Sequence, residues 1–305
     1  MKQITINTFR SDVIYQKILE APIEKKEDIF RYELMKPFQE KWDIYRIPLK
    51  AKQPRGYDIV MASDMLGYLT PKKVDDTVRE QIKLLSDDGF WEKCQRSIEL
   101  SFQQFLEYGI ELPRKDYVFT NILLNPESPY AIMCDNYCGD GGIPGYITGA
   151  LVPSKETLAR VPIALAHEVN HNVRFQFELW RDDITVGEYM ICEGLAENFA
   201  TSLYGEDQVG PWVSKTDQET LNDYIKPIIF DGLDKSGMAE ITGYMYGDEM
   251  AKMRDYFPVG LPYCAGYACG YYLIKHYLHK TGKSIVEATL TPAAEILREV
   301  KDFWK

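Results

Sequence analysis

At 305 residues the chain is long enough for one large domain or two of ordinary size, and 45% hydrophobic with 27% charged residues describes a folded protein, not a disordered one. The 46 acidic residues outnumber the 35 basic ones, and the resulting net charge of −11 repels phosphate backbones and anionic lipid, which argues against nucleic acid or a membrane surface as partner. The longest uncharged runs, Gly141 to Ser154 and Phe257 to Ile274, are broken by Gly and Pro or fall short of a membrane span.

In chain order, Met1 to Ile6 alternates polar and apolar residues and predicts a strand, without the apolar stretch of a signal peptide. Helical patterns follow at 11–20 and 25–43, the second carrying Phe30, Leu34 and Phe38 at four-residue spacing, with Pro37 expected to kink or end it. Tyr57 to Met61 reads as a short strand, and Thr70-Pro71 as the start of a helix running to about Leu85. Residues 90–108 form the clearest amphipathic helix of this half, with Cys94, Ile98, Phe102 and Phe105 as its buried stripe. A weak boundary at Glu111-Leu112-Pro113 divides the chain into a mostly helical region, 1–112, of no assigned role, and a catalytic region, 113–305.

Tyr117 to Leu124 is rich in β-formers, and Tyr130 to Cys134 resembles a second strand, followed by the glycine-rich Gly139-Asp140-Gly141-Gly142. Ile143 to Val152, with one proline and two glycines, makes a poor central strand, and reads either as an edge strand able to pair with an extended peptide or as a plain connector. The remainder is helical, at about 162–178, 184–204, 217–229, 262–280 and 292–303. The helix at 262–280 has little polar face before Lys275, and its Ala265, Gly266, Ala268 and Gly270 predict close backbone packing.

Within the first of these late helices lies Ala166-His167-Glu168-Val169-Asn170-His171. Positions i and i+4 share a helix face, so His167 and His171 can hold one metal ion. Glu168 points about 100° round the helix, where its carboxylate can reach a water without becoming a ligand. A catalytic zinc takes three protein ligands and keeps one position open. Glu193, 22 residues after His171, is the third ligand expected on an antiparallel return helix; Glu197, one turn on, is expected to accept a hydrogen bond from a histidine's free ring nitrogen. His276 and His279 lie far downstream and read as surface or core residues. The six scattered cysteines, Cys94, Cys134, Cys138, Cys192, Cys264 and Cys269, fit a reduced, cytoplasmic protein, their even count leaves a disulfide open, and Cys134 and Cys138 lack the second pair of a zinc knuckle.

The pairing of His-Glu-x-x-His with Glu-Gly-Leu-Ala-Glu (193–197) resembles the gluzincin metallopeptidases. More closely, Gly-Gly-Ile-Pro-Gly-Tyr-Ile (141–147), Ala-His-Glu-Val-Asn-His-Asn-Val-Arg (166–174), the 193–197 segment and Gly-Tyr-x-x-Gly-Tyr (266–271) resemble the YjaZ-like zinc-dependent proteases, over about residues 115–285. That resemblance implies an α+β, zincin-like fold: a small mixed sheet over the His-Glu-x-x-His helix, with a mainly helical C-terminal lobe closing the cleft. It also implies peptidase chemistry without supplying a substrate; the site read from the residues takes one zinc ion per chain and would hydrolyse a peptide or protein by a zinc-activated water with Glu168 as general base. A tyrosine commonly stabilises the oxyanion in gluzincins. Of Tyr263, Tyr267 and Tyr271, spaced four apart, Tyr267 is the first choice and Tyr263 the second. Asn172 and Arg174 lie next to the motif and read as supporting or substrate-binding residues. A contrasting reading keeps the zinc for structure in a non-catalytic binding or regulatory protein; an intact Glu168 argues against it.

Overall fold

The structure, a computed structural model, describes residues 4–305. It is a mixed α and β fold, mostly helical, with one four-stranded sheet. Strands β1 (Thr5–Thr8), β2 (Asp116–Leu123), β3 (Tyr137–Asp140) and β4 (Tyr146–Leu151) lie in the order β1-β2-β4-β3. β1 and β2 run parallel, as do β2 and β4, with Val118 opposite Tyr146 and Leu123 opposite Leu151. β3 turns back antiparallel on β4, with Tyr137 opposite Leu151 and Asp140 opposite Thr148. Parallel neighbours need long crossovers, and the helices of the first hundred residues supply the one between β1 and β2. Met1 to Gln3 of the expected opening strand lie outside the described residues.

Two compact units divide the chain. One comprises residues up to Phe102 together with Leu112–Glu168, the other Gln103–Glu111 with Val169–Lys305. In the first, the helix Asp88–Glu107 buries Cys94, Ile98 and Phe102 as its spacing predicts, and Phe102 packs on Tyr117 of β2 at 4.3 Å between ring centres. In the second, the core gathers around the helices Val186–Tyr204 and Ala265–Thr281, with Leu195, Ile241, Met245, Leu273 and Tyr277 all buried. These two helices come close enough that a methyl group on Gly194 would stand 2.2 Å from the Gly270 carbonyl oxygen, and one on Gly270 would stand 2.2 Å from that of Met190. Glycine is required there by contact, not by φ. No helix among the described residues is long and apolar enough to cross a membrane.

Several expectations are corrected. Tyr57 to Met61 is not a strand: Asp58 Oδ1 accepts from the Val60 and Met61 amides and caps a helix, Ile59–Met65. The helix expected from Thr70 forms only at Arg79–Leu85, after tight turns at Pro71–Lys73 and Asp76–Val78, the second capped by Asp75. Tyr130 to Cys134 falls in a short helix, Pro129–Met133, with proline at its first position, and the strand lies later, at β3. Pro37 does not end its helix but tightens it into a 3-10 turn, after which Gln39–Ile44 continues. Ile143 to Val152 supplies no edge: β4 pairs on both sides, and Pro144 falls before the first ladder residue, where its missing N–H costs nothing. The edge on that side is β3.

Candidate metal centre

The helix that carries the two histidines runs from Lys155 to Arg174, so it starts seven residues before the expected 162 and ends four before the expected 178. Its beginning is set by Ser154 and Thr157. Ser154 Oγ accepts from the Thr157 amide at 3.1 Å and Thr157 Oγ1 accepts from the Ser154 amide at 2.9 Å, a reciprocal cap in which threonine replaces the usual glutamate. Pro162 therefore lies inside the helix, and its carbonyl accepts a hydrogen bond from Ser97 Oγ. The helix that carries Glu193 starts at a full capping box: Thr185 Oγ1 accepts from the Glu188 amide at 3.2 Å, and Glu188 Oε2 accepts from the Thr185 amide at 2.9 Å.

On these two helices His167, His171 and Glu193 bring one ligand atom each to within 4.8 Å of one another, and all three residues are buried. His171 Nε2 stands 3.2 Å from Glu193 Oε2. Two ring nitrogens and a carboxylate oxygen at such separations match the donor set and spacing of a catalytic zinc, whose bonds to nitrogen and oxygen are about 2.0–2.2 Å. The donors present therefore fit a metal ion.

Glu168 is 7% exposed, and glycines make its place. A methyl group on Gly139 of β3 would fall 2.4 Å from Glu168 Cγ and 2.5 Å from its Oε1; one on Gly141 would fall 2.1 Å from the Glu168 carbonyl oxygen. At Gly149 of β4 a methyl group would meet Val161 Cγ1 at 3.0 Å, so the sheet lies directly on the histidine helix. Gly139→Ala is expected to push the Glu168 carboxylate aside while leaving the histidines alone. Its kcat should fall roughly 100-fold at unchanged zinc content; an unchanged rate would mean that the carboxylate does not act from this position.

Polar anchors hold the far end of the histidine helix. Asn170 Nδ2 donates to Thr289 Oγ1 at 2.7 Å. Arg174, 1% exposed, donates through Nη1 to the carbonyls of Thr289 at 2.7 Å and Thr291 at 3.1 Å, and through Nη2 to Glu178. It serves as a clamp within the fold. Asn172 is fully buried beside it. Glu197 does similar work on the other helix: its Oε1 accepts from the Gly210 amide at 2.6 Å and its Oε2 from Trp212 Nε1 at 2.7 Å, tying down the loop after Tyr204.

The three candidate tyrosines do not share one helix as their spacing predicts: Tyr267 and Tyr271 lie on Ala265–Thr281, whereas Tyr263 falls in the turn before it, because the helix starts only after Cys264 in a left-handed conformation. Burial first, and then the charge of the Glu193 carboxylate, push the Tyr267 hydroxyl pKa well above the usual tyrosine value. Tyr263 lies under the Lys215 ammonium, 4.9 Å from its ring centre, and Tyr271 meets Tyr272 edge-on at 5.2 Å. The glycines of Gly-Tyr-x-x-Gly-Tyr have a packing reason: Gly266 meets Met245 and Tyr244, and Gly270 meets Met190. His276 sits 3.2 Å from Asp302 near the surface, and His279 is exposed. Sequence reasoning missed the aromatic surroundings of His171. Phe175 stacks on its ring at 5.8 Å, Trp180 meets Phe175 edge-on at 5.8 Å and Tyr189 meets Trp180 edge-on at 5.2 Å, while Tyr246 contacts both Tyr189 and Tyr267. Only the aromatic density of 175–189 hinted at it.

The chain is 35% identical over 286 residues to the uncharacterized protein YjfC of Bacillus subtilis (strain 168), an alignment that covers 93% of this chain and 94% of that protein. No solved structure gives a significant match. A family profile described as "Predicted Zn-dependent protease" matches residues 90–298, which include both histidines, Glu168, Glu193 and the late tyrosines, and accords with the YjaZ-like resemblance of the motifs. Matched over more than half its length, the chain belongs to this family of predicted Zn-dependent proteases, DUF2268.

Proposed function

We propose that the protein is a zinc metallopeptidase of the gluzincin type, and the observation that carries this reading is the convergence of His167, His171 and Glu193 with Glu168 on the same helix. The two histidines and Glu193 would hold the metal and leave one position open. When bound, zinc supplies Lewis-acid polarisation of the scissile carbonyl and a water of lowered pKa. Glu168 takes the proton from the attacking water and returns it to the leaving amine. The Tyr267 hydroxyl donates to the carbonyl oxygen as negative charge builds there, a role for which its place beside Glu193 suits it and which Tyr263, under Lys215, suits less well. Glu197 supports the site through the loop that it anchors.

A sheet lying on the histidine helix, with a helical second unit, supports a zincin-like fold. On this reading residues 113–305 carry the chemistry, and the substrate is an extended peptide or protein segment.

The test begins with metal content after purification without added metal or chelating resin. Wild type should carry about one zinc per chain, as a single three-ligand site requires. Glu193→Ala should lose most of it, since the two remaining histidines hold zinc far more weakly, while its circular dichroism stays that of wild type. The same preparations are then given a mixture of unbiased peptides. Zinc-loaded wild type that cleaves none of them would overturn the peptidase reading, and a protein that takes up no zinc at neutral pH would overturn the metal site.

A further inference from the structure

Two tyrosines outside every motif named above stand behind Tyr267. Tyr189, 9% exposed, lies one turn before Glu193 on the same helix, and its hydroxyl is hydrogen-bonded to that of Tyr246. The Tyr246 ring packs on the Tyr267 ring with 5.6 Å between centres, and the Tyr267 hydroxyl lies in looser reach of both other hydroxyls. All three phenols feel the Glu193 carboxylate. Tyr189 continues outward through Trp180 and Phe175 to the His171 ring.

We infer that Tyr189 and Tyr246 are positioning residues for Tyr267: their bonded hydroxyl pair holds the Tyr267 hydroxyl beside the metal centre with its proton directed at the substrate. Proton counting supports this. A phenol has one proton to give and two lone pairs to receive, so the Tyr189–Tyr246 bond uses one of the pair's two protons and leaves the other to donate to the Tyr267 oxygen, whose own proton stays free for the substrate. A Tyr267 oxygen that accepts from this pair becomes a stronger donor through its own proton, because chained hydrogen bonds polarise one another. The ring packing of Tyr246 also limits how far the Tyr267 ring can swing. Neither Tyr189 nor Tyr246 touches the reacting atoms. The proposal rests on the peptidase reading given above.

The experiment compares wild type, Tyr189→Phe, Tyr246→Phe, Tyr267→Phe and the Tyr246→Phe/Tyr267→Phe pair, all zinc-loaded. It follows hydrolysis of one cleavable peptide, zinc content, and binding of a phosphinic peptide whose tetrahedral anionic phosphorus imitates the reacting centre. Tyr267→Phe should lose roughly 100-fold in kcat, and Tyr246→Phe roughly tenfold, with KM within about twofold and zinc unchanged. The phosphinic peptide should bind more weakly to both by similar factors. The double variant should be no slower than Tyr267→Phe alone, since an orienting group has nothing left to orient. Losses that multiply, or a Tyr246→Phe kcat equal to wild type, would overturn the inference and leave the peptidase reading intact. Activity unchanged in Glu168→Ala, or wild type that cleaves no peptide, would remove the parent reading and this inference with it.

Discussion

Glu168→Ala is expected to retain about one zinc per chain and to lose peptide hydrolysis by roughly 1000-fold. The argument is geometric before it is chemical. Glu168 follows His167 directly, so its side chain leaves the helix about 100° away from the histidine face and adds nothing to the donor set. The three candidate ligands are complete without it. Its carboxylate is nevertheless buried and seated against Gly139, a cost in desolvation that a purely structural site has no reason to bear. Glu168→Gln, which keeps the shape and removes the basicity, should match the alanine variant in rate. The check is kcat and metal content on the same preparations. Normal turnover by either variant would falsify Glu168 as the base. Loss of zinc together with activity would instead make Glu168 a support of the metal site.

Gly270→Ala should destabilise the fold, although the same change in an exposed helix would stabilise it by about 1 kcal/mol. The added methyl group would stand 2.2 Å from the Met190 carbonyl oxygen and 3.0 Å from Met190 Cγ. The obstacle is helix backbone, which cannot change rotamer, so the two helices must separate. We expect a net loss of about 2 kcal/mol, typical of overpacking after the propensity gain is subtracted, and a fall in Tm of roughly 5 °C. Helix separation would also move Tyr267, one turn away, relative to Glu193, so activity should fall further than stability alone explains. Thermal unfolding decides the sign: a raised Tm would mean that the helices do not pack through this glycine.

The parts of the molecule legible in the sequence are those written at short range. His167, Glu168 and His171 lie within one helix turn, and Glu193 could be placed because an antiparallel return helix is the shortest route back. Helices at 11–20, 184–204 and 262–280 were readable because apolar spacing or a threonine-to-glutamate cap marks them. The misreadings have local causes. At Asp58 and Pro129, β-formers nearby outweighed a cap and a helix-starting proline. The helix expected from about 162 is already two turns old there, because the Ser154–Thr157 cap that starts it lacks the customary glutamate. What stayed hidden depends on contacts between distant residues. That Gly139 must be glycine follows from Glu168, 29 positions later, and the partnership of Tyr189 with Tyr246 spans 57. No periodicity announces either.

The Arg174 clamp also sets the order in which a nascent chain can complete the histidine helix. Its carbonyl partners lie 115 and 117 positions downstream, so while the ribosome is still making them the histidine helix has no fixed C-terminal end. At about 5–20 residues per second that interval lasts on the order of ten seconds. The buried arginine therefore gains its carbonyl partners only after Thr291 has been made, and the far end of the histidine helix is fixed late in synthesis.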